Sequence, residues 1–236
     1  MKPQAGEPSI RETRAEIAYQ RIRELIVEGR LAPGSRIIET DLVDRLDVSR
    51  TTVRSALQRF EQEGLVTRVE GGRVRWFVSP LTINDVLEIA EIMSALEGIA
   101  GRRVAEFADG PRKKLAKRLR SINLELKQVT KEQPPDSARA AVLDEEFHRC
   151  FVEASQRTRL IGFCASLKAQ AQRYARSYMA YLAPIAGTSV DEHAAIVTAI
   201  ERGNPDAVEI AIQANWLQAA DRYISVIETV GERGTW

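Results

Sequence analysis

Histidine and cysteine are both scarce in this chain, with two of each among 236 residues. Cys150 and Cys164 fall on separate predicted helices and read as buried free thiols in a reducing cytosol. Charge of one sign is also lacking. The formal net charge is +1, so nothing in the whole-chain balance points to nucleic acid, and any basic footprint has to be local. No apolar run approaches the ~20 residues of a membrane span. The segment from Met1 to Glu16 is polar and lacks the apolar core of a signal peptide. There is no low-complexity stretch, no His-Glu-x-x-His motif, no nucleophile elbow and no phosphate loop, so the common enzyme signatures are absent. What remains is ordinary for a cytoplasmic globular protein: 44% apolar and 28% charged residues, in a length that suits one large domain or two modest ones.

The pattern changes near residue 80. Before it, elements are short and punctuated. Ala15, Ala18, Ile22, Leu25 and Ile26 recur at helical spacing, and Gly29 ends that helix. Pro33-Gly34 makes a turn, and a short helix is predicted from Glu39 to Leu46. Ser49 is a suitable N-cap for a third helix in which Val53, Ala56, Leu57 and Phe60 share one face. Gly64 ends it. Leu65 to Val69 and Arg73 to Val78 read as two strands, with Glu70-Gly71-Gly72 as the hairpin turn. Three helices and a β-hairpin wing in this order predict a winged helix-turn-helix over 10–79.

Ser79-Pro80-Leu81-Thr82 reads as a linker, and 82–230 as an all-α bundle of about six helices. The first is expected over 82–108, ended by Asp109-Gly110, and the next to open at Pro111. Others are expected over 137–155 and 159–182. Ser189 to Glu192 has the form of a capping box. Gly203-Asn204-Pro205 is a turn before the last helix, and the tail 231–236 is expected to be disordered. The fold class is therefore mainly α.

The third helix buries Val53, Ala56, Leu57 and Phe60, so its other face carries Arg50, Thr51, Arg54, Ser55 and Gln58. Arginine there can donate two parallel hydrogen bonds to a guanine edge or grip a phosphate, and the helix N-terminus favours phosphate. From Ser49 to Val78 six arginines face three glutamates, a local net charge of +3. Gly71 and Gly72 allow close approach of backbone to a minor groove, with Arg73 beside them.

Leu31-Ala32-Pro33-Gly34, Asp47-Val48-Ser49-Arg50-Thr51-Thr52-Val53-Arg54 and Glu63-Gly64-Leu65-Val66 closely resemble the winged helix of GntR-family transcription regulators. The helical region beyond residue 80 resembles the FadR-type branch, whose C-terminal domain is the all-helical FCD fold. The resemblance spans roughly 15–228. It implies DNA contacts from Ser49, Arg50, Thr51, Thr52, Arg54 and Gly72, with Arg73 alongside. The family's Glu-Arg-Glu-Leu stretch reads Glu39-Thr40-Asp41-Leu42 here, so Thr40 stands where an arginine is usual. The resemblance also implies a repressor that acts as a homodimer on a palindromic operator, under control of a small-molecule effector.

Asp144 and His148 are spaced i, i+4 on one helix face, suitable for two ligands of one cation. His193 and Asn215 flank the Gly203 turn at about equal height, roughly 15 Å from it at the helical rise, and could face the same cavity. The resemblance implies the same site: metal-binding FCD domains use an Asp-x-x-x-His pair, a Glu-His stretch and a further histidine. Asp144, His148 and Glu192-His193 match, while Asn215 replaces the last imidazole. An arginine usual on the first FCD helix is replaced by Met93. One divalent ion, Zn²⁺ or Ni²⁺, is what two imidazoles would favour. Arg173 and Tyr174, polar residues on a helix that should be central, are candidate effector contacts together with Asn215 and Met93. The competing readings are a metal-dependent enzyme using Asp144, His148 and His193, and a winged helix used for protein contacts alone.

Overall fold

The computed structural model describes residues 14–71, 74–133, 136–182 and 187–235. It divides into two compact units between Ser79 and Pro80.

In the first unit, helix α1 (Arg14–Val27) buries Ala18, Tyr19, Ile22, Leu25 and Ile26. Gly29 comes soon after with φ 74°, the left-handed conformation that glycine adopts without a Cβ penalty. Strand β1 (Arg36–Ile37) precedes helices α2 (Glu39–Leu46) and α3 (Arg50–Gln62). The turn between the two helices places Asp47 at φ 53°. Ser49 caps α3, its Oγ accepting from the Thr52 backbone N–H at 3.1 Å, an interaction of about 1 kcal/mol. The buried face of α3 is Val53, Ala56, Leu57 and Phe60. Phe60 stacks on Tyr19 of α1 at 4.7 Å between ring centroids, and the Arg59 guanidinium covers the same tyrosine at 3.6 Å.

Strands β2 (Val66–Val69) and β3 (Arg75–Val78) form the wing, paired antiparallel with Val66 opposite Val78 and Val69 opposite Arg75. The sequence pattern predicts two strands. The sheet has three, in the order β1-β3-β2, because Arg36 and Ile37 pair with Phe77 and Trp76. A two-residue strand carries too little alternation to be read as one. Gly72 and Arg73, expected at the wing tip, lie outside the described residues.

The second unit contains α4 (Ile83–Ala105), α5 (Asp109–Val129), α6 (Ser137–Ala154), α7 (Thr158–Leu182), α8 (Thr188–Arg202) and α9 (Pro205–Val230). Thr82 caps α4 through Oγ1, which accepts from the Asp85 N–H. Helices α4 and α9 pack antiparallel: Arg102 reaches Asp206 and Glu209, while Glu97 reaches Trp216. Gly101 makes the close approach possible, since a Cβ there would collide with Val208 and Ile212. The α8–α9 turn is built as its residues suggest. Gly203 is left-handed at φ 67°, the Asn204 side chain accepts from the Ala207 N–H, and Pro205 occupies the first turn.

Three expectations are corrected. Asp109-Gly110 does not end the first helix of this unit. Helix α4 stops at Ala105, and Asp109 opens α5, where its carboxylate suits the positive end of the helix dipole. The capping box at Ser189 does not form. Helix α8 starts at Thr188 without a side-chain cap, because Glu192 is engaged by Arg222 and Asn215 instead. The tail is ordered through residue 235. Leu81 and Arg233 exchange two backbone hydrogen bonds, at 2.8 and 3.1 Å. Glu232 accepts from the Ile83 N–H, and Tyr178 donates to the Gly231 carbonyl. The start of α4 has backbone N–H groups that need acceptors, and the tail supplies one.

Candidate functional site

Helix α3 presents two chemically distinct faces. The apolar four are buried, while Ser49, Arg50, Thr51, Arg54, Ser55 and Gln58 are exposed and Thr52 is half-buried. Thr40 on α2 is exposed beside them. The Ser49 and Thr52 hydroxyls are 2.8 Å apart, so the N-terminus of α3 offers hydroxyls already oriented by its own cap. Arg54 donates Nε–H to Glu39 Oε2 at 2.7 Å. Of the expected contact residues within the described range, Thr40, Ser49, Arg50, Thr51 and Arg54 are exposed and Thr52 is half-buried.

In the helical unit, Asp144 and His148 of α6 meet His193 of α8, with ligand atoms within 4.8 Å of one another. His193 is fully buried and its ring lies flat on Phe147, centroids 3.9 Å apart and planes 4° off parallel. Neither of its ring nitrogens has a hydrogen-bond partner, and Asp144 Oδ1 stands 3.5 Å from Nε2, too far for a good bond. Burial pushes the His193 pKa down to about 3, so the ring is neutral and keeps a lone pair. Burial raises the Asp144 pKa, but His148, Lys168, His193 and Arg222 together outweigh it and hold the carboxyl below its ordinary value. Two imidazoles, that of His193 neutral, and a carboxylate converge here, which is a donor set for a divalent cation.

His148 is oriented by a residue that is not among the sequence-derived candidates. Its Nδ1 lies 2.6 Å from Glu97 Oε2, and the same oxygen accepts from Trp216 Nε1 at 2.8 Å. Glu97 is 2% exposed. Burial raises its pKa, yet His148, Lys168 and Trp216 more than offset this and keep it ionised. An ionised carboxylate only accepts, so His148 carries its proton on Nδ1 and leaves Nε2 free as a ligand. A carboxylate behind a ligating histidine fixes its tautomer and raises its basicity. The signal in the sequence was a glutamate on the buried face of α4, one turn after Met93 and shortly before Ala100 and Val104.

The remaining candidates separate. Asn215 is buried and donates Nδ2–H to Glu192 at 2.7 Å, while Arg222 grips both oxygens of Glu192 at 2.5 and 3.1 Å. Glu192 and Arg222 also line an open cleft of about 570 Å³ with Thr188, Asp191, Gln218 and Asp221. Met93 is fully buried in the apolar core. Arg173 and Tyr174 are not brought to the triad. The Tyr174 hydroxyl donates to the Thr82 carbonyl and accepts from the Thr82 N–H, both at 3.0 Å. Burial lowers the Arg173 pKa to about 10, against the pull of Tyr174 and Asp85. Thr82 and Asp85 begin α4, and Glu97 lies twelve residues beyond Asp85, about 18 Å along the axis. On α7, Lys168 acts on Asp144 and His193, and no pattern in the sequence singles it out. Its ammonium lies 5.0 Å from the Trp216 ring.

Residues 14–75 match the gntR family of bacterial regulatory proteins, and residues 88–216 match the FCD domain. The chain belongs to the GntR family. A probable D-xylose utilization operon transcriptional repressor from Paenarthrobacter nicotinovorans is 31% identical, over 86% of this chain and 87% of the relative. A putative L-lactate dehydrogenase operon regulatory protein from Escherichia coli K12 is 28% identical, over 83% and 80%. Among solved structures, E. coli McbR/YncC superposes with a TM-score of 0.72 at 15% identity, covering 91% of this chain and 98% of the other. A putative GntR regulator from Rhodococcus sp. RHA1 gives 0.68 at 22% identity, covering 91% and 99%. This GntR protein is a DNA-binding transcription regulator with a C-terminal FCD effector domain, and the relatives lend no support to an enzyme. Among the described residues, no helix is long and apolar enough to cross a membrane.

Proposed function

We propose that this GntR regulator is a homodimeric repressor that acts in the cytoplasm, where its DNA is. It reads a palindromic operator through Ser49, Arg50, Thr51, Thr52 and Arg54, with Thr40 at the edge and Gly72 and Arg73 in the wing. Two-fold symmetry doubles a contact set too small to find one operator alone. In the FCD domain, Asp144, His148 and His193 hold one divalent ion. A bound ion would supply a Lewis-acidic position for the oxygen donors of an effector. Relatives named for a D-xylose utilization operon and an L-lactate dehydrogenase operon favour a small oxygen-bearing metabolite in that role.

Glu97 fixes His148 as a ligand, and Phe147 holds the His193 ring in plane. Asn215 is a buried amide tied to Glu192, and the open cleft beside Glu192 and Arg222 is where the effector approaches. Tyr174 braces the start of α4 through Thr82, and it and Arg173 serve as further effector contacts beyond the metal. An effector that binds one arrangement of the FCD domain better than another shifts the population, and DNA affinity changes with it by linkage.

The carrying observation is His193: a fully buried neutral imidazole with both nitrogens idle, beside a carboxylate and a second imidazole. Buried polar atoms without partners are rare, and a cation answers this one. Elemental analysis of protein purified without chelator or affinity nickel is expected to find about one Zn or Ni per chain by that donor set. The His193→Ala variant is expected to lose the metal and the effector response while keeping operator binding. Wild-type protein that carries no metal and takes up none on titration overturns the metal reading and leaves a polar pocket.

A further inference from the structure

Arg50 and Arg54, the two arginines of α3 read as DNA contacts, differ in one respect. Arg50 has no ion pair among the described residues. Arg54 donates Nε–H to Glu39 Oε2 at 2.7 Å, across fifteen positions of sequence from α3 to the first residue of α2. The carboxylate is well sheltered at 19% side-chain exposure, while the arginine is 64% exposed. An ion pair this open contributes little to folding, and a carboxylate on a phosphate-facing surface works against general affinity for DNA. Both facts ask for another use.

A guanidinium has five N–H donors in one rigid plane. Glu39 occupies the single donor on Nε, and the four on Nη1 and Nη2 stay available. Recognition of guanine needs two parallel donors held in the plane of the base. A free arginine loses rotamer freedom when it meets that demand, whereas a tethered one has lost part of it already. We propose that Glu39 is a positioning residue for sequence readout: it holds the Arg54 guanidinium in one orientation and so exchanges general DNA affinity for discrimination between bases. A feature that repels DNA as a whole while favouring one base pair is a specificity device. Thr40, next to Glu39, stands where the resemblance leads one to expect an arginine, so the start of α2 adds no long donor of its own beside Arg54. The inference rests on the reading of Arg54 as a base contact.

The test uses full-length protein and a duplex that the wild type itself selects from a random pool. The ratio of Kd values for that duplex and for duplexes changed at one base pair is measured at fixed salt. Arg54→Ala is expected to lower discrimination about tenfold at one base pair of each half-site. Glu39→Ala is expected to lower it at the same pair by about fivefold, with affinity for mixed-sequence DNA equal or higher and the melting temperature unchanged. Glu39→Gln keeps an acceptor oxygen for Nε–H and is expected to retain most of the discrimination. The double variant should be no worse than Arg54→Ala. Wild-type discrimination in Glu39→Ala, at a pair that Arg54→Ala does affect, overturns the role of Glu39 alone. Additive losses in the double variant do the same. No change at any pair in Arg54→Ala overturns the base-contact reading, and the role of Glu39 with it.

Discussion

The two units solve opposite problems with different polar side chains. On the winged helix the working groups face outward: Arg50, Thr51 and Arg54 are exposed on a helix whose other face is fully apolar. In the FCD domain they face inward: His148, His193, Glu97 and Asn215 are all at most 4% exposed. A surface reader needs charge at the end of long side chains and depends little on the packing beneath. A buried sensor has to satisfy every polar atom or hold a ligand that does so, because an unpaired one is costly. Damage to the first should therefore leave folding intact, and damage to the hydrogen-bonded network of the second should not.

The sharpest way to break this contrast is Glu97→Ala. It leaves His148 Nδ1 and Trp216 Nε1 without their shared acceptor in the core. A loss of about 3–5 kcal/mol in denaturant unfolding is expected, together with any bound metal. A loss below ~0.5 kcal/mol, the range of surface changes, would mean that the network is not structural.

Acid should act on the same unit with a smaller effect. The His193 pKa is held by burial at about 3, against an ordinary value of 6.5. Between those values the unfolded chain binds a proton that the folded chain refuses, so stability is complete above about pH 6.5 and declines as pH falls toward 3. Asp144 and Glu97, both shifted down, contribute in the same direction at lower pH. Chelator-treated protein should lose about 2 kcal/mol between pH 7.5 and 5. A flat profile would mean that the ring takes up its proton at no cost.

Arg50→Ala should show the smallest effect on stability and a clear one on DNA. Operator affinity is expected to fall by about 1–3 kcal/mol, while unfolding stays within ~0.5 kcal/mol of wild type. A matching loss of stability would erase the distinction between the two units.

The winged helix was legible in the sequence because its information is local. Ser49 caps the helix it precedes, Val53 to Phe60 define a buried face by spacing alone, and the opposite face is then fixed as the reading surface. Asp144 and His148 were legible for the same reason, sitting one turn apart on α6. His193 was legible from its height above the Gly203 turn and from the resemblance, but the groups that orient His148 were not. Glu97 and Trp216 come from α4 and α9, and only the antiparallel packing of these helices, allowed by Gly101, puts Trp216 and His148 on one oxygen of Glu97. Tertiary contact also decided against local preference. Glu192 left its capping box for Arg222 and Asn215, and the tail found acceptors and donors at Leu81 and Ile83. Tyr174 was spoken for by Thr82. Helical period and capping depend on residues within one or two turns, so the order of residues was enough to set the elements and their outward faces. A buried polar group takes whichever partner the packing brings within 3 Å, and that choice belonged to the folded chain as a whole.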